Sequence, residues 1–187
     1  MKSLCLVLTL LALGMVSSAA SAQKLFHPHS HANAQPGKEQ FVFSAEDKGV
    51  ERPVAIPDEV KPILARDEYV QSLLEQKRLM VQKLPAAWFS AALVHLGGHN
   101  EESLVVMGVG PVMGADGTTF WVFCPTERGW TQALKVSTHT LVVKDLKTRG
   151  VRELEAQSAT AAEVFRVSYR YDGLEYKSYK EVSEPIR

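Results

Sequence analysis

Thr118-Thr-Phe-Trp-Val-Phe-Cys124 is the stretch from which the fold can be read. In an extended chain, successive side chains point to opposite faces. Phe120, Val122 and Cys124 therefore face one way, and Trp121 and Phe123 the other. A half-exposed strand alternates apolar with polar residues, whereas this one is apolar on both sides. It is either a central strand covered on both faces or a strand whose second face binds something.

On either side of this stretch, the period-two pattern continues from Ala86 to the end of the chain. The predicted strands are 87–95, 103–109, 118–124, 130–136, 140–146, 151–155, 164–171 and 174–182. Gly97-Gly98, Gly114-Ala-Asp-Gly117, Arg128-Gly129, Thr148-Arg-Gly150 and Asp172-Gly173 punctuate them as turns. Links this short leave no room for parallel crossovers, so the expected sheet is an antiparallel meander. Asp172-Gly173 reads as a two-residue hairpin turn. That turn would pair Tyr171 with Leu174, Arg170 with Glu175 and Tyr169 with Tyr176. It places Phe165, Val167, Tyr169, Tyr171, Leu174 and Tyr176 on one face, which needs a covering layer.

Upstream, the period lengthens. Val60, Ile63, Leu64, Val70, Leu73, Leu74, Met80, Val81 and Leu84 recur at spacings of three, four and seven, which predicts one bent helix or two short ones. Asp58 is a candidate N-cap and Asp67 a cap for a second segment. Pro62 belongs to a first turn or a break, and Pro85 ends the pattern. The side carrying Lys77 and Arg78 is expected to face water. The fold class is therefore α+β: an N-terminal helix or helix pair (56–85) packed on a C-terminal antiparallel meander of seven or eight strands (86–187), together a single globular domain over 56–187. Residues 23–55, rich in Ser, Ala, Gln, Pro, Gly and His, read as a flexible tether, within which Phe41-Val42-Phe43 adds a short strand.

The start of the chain carries an address. Met1-Lys2 is basic, Leu4 to Val16 is almost wholly apolar, and Ala20-Ser-Ala22 has the form of a cleavage site. The apolar run is too short to cross a bilayer, so 1–22 is expected to be a cleaved export signal. The mature chain would then begin at Gln23 and work in the periplasm or outside the cell. Lys2 leaves with the signal, so 21 acidic groups face one fewer basic group. No positive surplus exists to drive nucleic-acid binding, and no later run is long and apolar enough for a membrane helix. Cys124 is the one cysteine beyond the signal. It cannot form an intramolecular disulfide, and it reads as a small buried apolar side chain or as an inter-chain cross-link.

From about Ile56 onward the chain resembles a group of uncharacterised exported bacterial proteins. The resemblance rests on Ser103-Leu-Val-Val-Met-Gly108, Gly114-Ala-Asp-Gly-Thr-Thr-Phe-Trp-Val-Phe123, Lys147-Thr-Arg-Gly-Val-Arg-Glu-Leu154 and Tyr169-Arg-Tyr-Asp-Gly-Leu-Glu-Tyr176. It implies an exported β-rich domain and brings no catalytic residues. Ala91 to Val106 is also similar in rhythm to an FG-GAP-type propeller repeat. Gly97, Gly98 and His99 stand where that repeat carries calcium-binding aspartates, so the likeness implies local sheet geometry only.

Few residues suggest chemistry. His27, His29 and His31 put three imidazoles within five residues, a candidate site for copper, nickel or zinc, or else an ordinary polar linker. His95 and His99 lack a third ligand beyond a guess at Glu101, Glu102 or His139. Cys124, His139 and Asp145 are the parts of a thiol nucleophile, but Cys124 lies in an apolar run with nothing adjacent to stabilise a thiolate. No G-x-S-x-G elbow, P-loop or dinucleotide fingerprint is present. Trp121, Phe123, Trp130, Tyr169 and Tyr176 are the candidate binding-surface residues, with core as the competing reading.

The function expected is an exported, non-catalytic binding or accessory module of the cell envelope, a hydrolase inhibitor being one form. Its partner would be an envelope protein or glycan, with no nucleic acid, no cofactor and no membrane span. An envelope hydrolase and a metal-binding protein acting through His27–His31 are the alternatives.

Overall fold

The computed structural model describes residues 41–97 and 102–186. The elements run β1 (Val42–Ser44), α1 (Lys61–Ala65), α2 (Glu68–Gln76), β2 (Phe89–Val94), β3 (Ser103–Gly108), β4 (Thr118–Thr126), β5 (Gly129–Thr138), β6 (Thr140–Thr148), β7 (Val151–Ala159), β8 (Glu163–Tyr171) and β9 (Tyr176–Pro185). Short 3-10 turns lie at Val81–Lys83, Ala86–Trp88 and Gly110–Val112. Each of the eight predicted strands is present, and the segment around Val42 supplies a ninth. The expected export signal, the first part of the expected tether and the His27–His31 cluster lie outside the described residues.

All strand pairings are antiparallel, as expected, but the strands form two sheets instead of one meander. One sheet is ordered β2-β3-β4-β5 and the other β1-β6-β7-β8-β9. The physical reason is coverage. Two helices of five and nine residues are too small to cover an apolar face eight strands wide. The second sheet supplies the missing layer by folding over the first. Phe120, Val122, Val105 and Met107 from one sheet meet Leu141, Val143, Leu154 and Tyr176 from the other in a shared core. The chain changes sheets between Thr138 and Thr140, with only His139 between them. This corner is held by Thr138 Oγ1 and His139 N, which donate to Gln157 O at 2.6 and 3.1 Å, and by Ala45 N, which donates to His139 O at 2.7 Å. A second tie joins the sheets where Gly97 bridges Val151. A Cβ on Gly97 would lie 2.2 Å from Gly150 O, and its φ of +104° is left-handed, so only glycine lets the two backbones approach.

The tether assignment for 41–55 needs correcting. Phe43 is fully buried and Val50 nearly so, both in the core between the sheets. β1 pairs with β6 through Val42–Val142, Phe43–Leu141 and Ser44–Thr140. The ordered domain therefore takes in Phe41 onward, well before Ile56.

The other face of the four-stranded sheet carries the helices. Val60, Leu64, Val70 and Leu74 pack on Phe89, Ala91, Leu104, Val106, Trp121 and Phe123. Phe89 and Trp121 meet edge to face, with centroids 5.7 Å apart. β4 is thus buried on both sides, with Phe120 and Val122 between the sheets and Trp121 and Phe123 beneath the helices. Asp67 caps α2, as expected: its Oδ1 accepts from Tyr69 N at 3.0 Å and Val70 N at 3.4 Å. Its Oδ2 accepts from Trp121 Nε1 at 3.2 Å and pairs with Lys135 Nζ at 2.7 Å. Asp58 does not cap. The residue before α1 is Val60, and Asp58 instead pairs with Lys61 at 2.6 Å. α2 ends sooner than the apolar spacing predicts, because Arg78 takes a left-handed φ of 54° and Leu79 N donates back to Leu74 O. Met80 and Val81, read from spacing as core, are consequently exposed, as are Lys77 and Arg78.

The last hairpin is also corrected. Tyr171 pairs with Tyr176, Arg170 with Lys177 and Tyr169 with Ser178, so the connection holds four residues, not two. Asp172 accounts for this: its Oδ1 accepts from Leu174 N and Glu175 N, both at 2.9 Å, and its own N donates to Glu175 O. The side chain forms a turn that competes with the tighter one. The slip is two residues at the turn, so Tyr169, Tyr171 and Tyr176 keep their common face.

The outer face of the five-stranded sheet is polar. Glu153, fully covered, accepts from Thr148 Oγ1 at 2.7 Å, Arg170 Nε at 2.8 Å and Tyr179 Oη at 2.5 Å. Arg170 also lies over the Tyr179 ring, 3.7 Å from its centroid. Covering the Glu153 carboxyl pushes its pKa up, but the hydrogen bonds from Tyr179, Thr148 and Arg170 and the charge of Arg170 outweigh that and hold it at about 2, against 4.5 ordinarily. A group with a depressed folded pKa stabilises the fold above its unfolded pKa, and that stabilisation is lost as pH falls through the folded value. The melting temperature should therefore fall between pH 4.5 and about 2, and Glu153→Gln should flatten that part of the curve. An unchanged slope in the variant would assign the acid sensitivity elsewhere.

Candidate functional site

Pro53 and Pro57 bracket Val54-Ala-Ile56 and favour an extended path through it. Val54 N donates to Ala91 O at 2.8 Å, which lays this strap on β2, the edge of the four-stranded sheet. The strap also shields an edge that would otherwise be open to pairing. Two grooves flank it, and Val54 and Ala55 line both.

The first groove, about 640 Å³, runs between the strap, α1 and the segment 81–86. Ile56, Leu64, Val81, Leu84 and Phe89 form its walls, and the Asp58–Lys61 ion pair lies at its side. Its existence follows from the early end of α2. Once Arg78 breaks the helix, the chain returns through two 3-10 turns, and Val81, 48% exposed, is left over the gap. The second groove, about 500 Å³, is walled by Pro57, Leu93, Leu104, Pro125 and Trp130, with Glu102 as its charged member. Both volumes fall in the range of ligand and anchor pockets. Among the described residues, those that line the two grooves include no His, Cys or Ser. The arrangement offers apolar seats with a charged rim.

The structure divides the five candidate binding aromatics. Trp121, Phe123 and Tyr176 are core and not surface, with exposures of 1%, 0% and 4%. The helices cover the first two, and the sheet-to-sheet interior takes Tyr176, whose hydroxyl donates to Arg152 O at 3.0 Å. Burial pushes the Tyr176 phenol pKa far up. Tyr169 is half-buried against the same interior. Trp130 alone of the five lines a groove. Sequence spacing assigned Val81 and Leu84 to a helix stripe, so it missed the groove they wall. The available signal was the run of prolines at 53, 57 and 85.

Cys124 and His139 do not meet. Cys124 pairs with Thr131 and Thr118 with Thr138, so the thiol and the imidazole sit at opposite ends of the β4–β5 ladder. Six residues of strand separate them by about 20 Å. His139 Nδ1 faces Ala159 N at 3.5 Å in the corner between the sheets. Asp145 pairs with Arg152 at 2.6 Å. His95 Nε2 lies 3.9 Å from Glu102, while His99 and Glu101 lie outside the described residues. Among the described residues no group of three His, Cys, Asp or Glu side chains is placed to hold a metal. No helix among them is long and apolar enough to cross a membrane.

Cys124 packs at the margin of the core, with Ser103 Oγ 3.8 Å from its sulfur. Burial pushes its thiol pKa up, against the weaker opposing effect of the Ser103 hydrogen bond. Native Cys124 is therefore expected to react with a thiol reagent at pH 8 at least about tenfold more slowly than in urea. Equal or faster reaction in the native state would mean an activated thiolate. Compared with known proteins, the chain matches no family model, no curated protein and no solved structure.

Proposed function

We propose that this chain is an exported, non-catalytic binding module of the cell envelope that holds a protein partner by apolar side chains seated in the two grooves beside the 54–57 strap. Export rests on the sequence of 1–22, and the likeness to exported β-rich proteins agrees with it. The fold behind it is read as α+β, with α1 building one wall of the first groove.

The observation that carries the reading is the pair of apolar grooves sharing one strap. Met80, Val81 and Leu93 are 58%, 48% and 36% exposed, and the last two line the grooves. Exposed apolar groups beside concave apolar walls suit anchor residues from a partner, and Trp130 is a residue type enriched among binding hot spots. The separation of Cys124 from His139 favours binding over thiol hydrolysis. Inhibition of an envelope hydrolase is one form the binding would take.

Val81→Glu puts a charge at one groove and Trp130→Ala removes a wall of the other. Each is expected to weaken capture of the partner from envelope extract by about 30-fold, the scale of a lost hot spot. Phe165→Ala, on an exposed residue of β8, should capture as the native chain does. Full capture by both groove variants would refute the reading.

A further inference from the structure

The helical layer stops at Tyr69, and the face of the sheet beside it changes character there. Trp121 and Lys135 are paired across β4 and β5, and the next same-face pair outward is Thr119 and Ser137. Beyond Trp121 the sheet thus turns from aromatic to hydroxylic at the place where its helical cover ends. The Gly114–Gly117 turn rises beside this rung, closed by Gly114 N donating to Gly117 O at 2.9 Å. Gly117, at φ +137°, sits so close to β5 that a Cβ would lie 2.6 Å from Thr138 O. The result is a cavity of about 450 Å³ between Tyr69, the turn and the end of the β4–β5 ladder.

Its chemistry differs from that of the grooves. Tyr69, 43% exposed, lines the cavity, and its hydroxyl donates to Pro111 O at 3.4 Å. Thr119 Oγ1 and Ser137 Oγ are 2.9 Å apart, so one hydroxyl hydrogen of the pair and several lone pairs remain for a ligand. Lys135 gives one ammonium hydrogen to Asp67 at 2.7 Å and keeps two. The Asp116 carboxylate stands on the exposed turn. Asp67 neutralises Lys135 and Asp116 adds a negative group, so the cavity does not favour a simple anion, and Val112 and Ala115 give it an apolar part beside its polar groups. Mixed donors and acceptors beside an exposed aromatic ring match a neutral polyol ring. Its hydroxyls both give and accept hydrogen bonds, and its C–H face packs on an aromatic face.

We infer that this cavity is a carbohydrate-binding site, in which a pyranose ring packs on Tyr69 while Asp116, Lys135 and the Thr119–Ser137 pair bind its hydroxyls. The site shares no lining residue with the grooves, so it stands or falls apart from the binding-module reading.

Amide NMR spectra of the chain titrated with glucose, N-acetylglucosamine and maltotriose test it. At least one sugar should move the amides of 115–119 and 135–138 saturably, with a Kd on the order of 1 mM, typical of a small contact of about −4 kcal/mol. Tyr69→Ala and Asp116→Ala should each weaken that binding about tenfold. Asp116→Ala, on an exposed turn, keeps the test decisive should Tyr69→Ala fail to fold. No saturable shift with any of the three sugars would overturn the inference. Shifts that survive Asp116→Ala unchanged would overturn it too, as would shifts produced equally by inorganic phosphate.

Discussion

One carboxylate joins the helical layer to the sheet. Asp67 caps α2 with one oxygen and receives the Trp121 indole and the Lys135 ammonium with the other. A buried carboxylate is costly unless its lone pairs are filled, and these four contacts fill them. The same contacts fix where α2 begins, how the helices lie on β4, and where the helical cover ends. The first groove and the polar cavity are built on that placement. α1, separated from Asp67 only by Arg66, walls the first groove, and Tyr69, two residues after Asp67, walls the polar cavity.

The β-rich class, every strand and the double burial of β4 were legible in the sequence. Thr118–Cys124 has no polar face, which leaves either cover on both sides or a second face that binds something, and the structure shows the first. The division into two sheets was not legible, because a turn as short as Thr138-His-Thr140 reads alike whether its strands pair or part. Here they part, and hydrogen bonds to Gln157, remote in sequence, decide it. β1 was legible as a pattern, but its place beside β6 depends on burying Phe43, which no local rule contains. The final hairpin shows the limit of turn rules. Asp-Gly favours two-residue loops, yet the Asp172 side chain prefers to bond Leu174 and Glu175.

The candidate site was less legible than the fold. A hydrophobic spacing that continues past the end of a helix looks the same as one within it. Met80, Val81 and Leu84 therefore read as core until Arg78 is seen to break the helix. Aromatic residues were a poor guide to the surface for a related reason: with Cys124 unpaired, packing has to supply the stability. Trp121, Phe123 and Tyr176 are used for that purpose, and Trp130 alone is left beside a groove. Glu153 and its partners make the opposite sheet face polar, while the apolar grooves and the polar cavity lie on the helical side.

Native-state hydrogen exchange on Asp67→Ala tests the central claim directly. Losing the cap costs about 1 kcal/mol, and leaving the Trp121 N–H without its acceptor costs about 1–3 kcal/mol more. The account predicts that amides of Glu68–Gln76 exchange at least about tenfold faster, while those of β7 and β8 keep their protection. Unchanged protection in α2 would contradict it and show that apolar packing alone holds the helical layer in place.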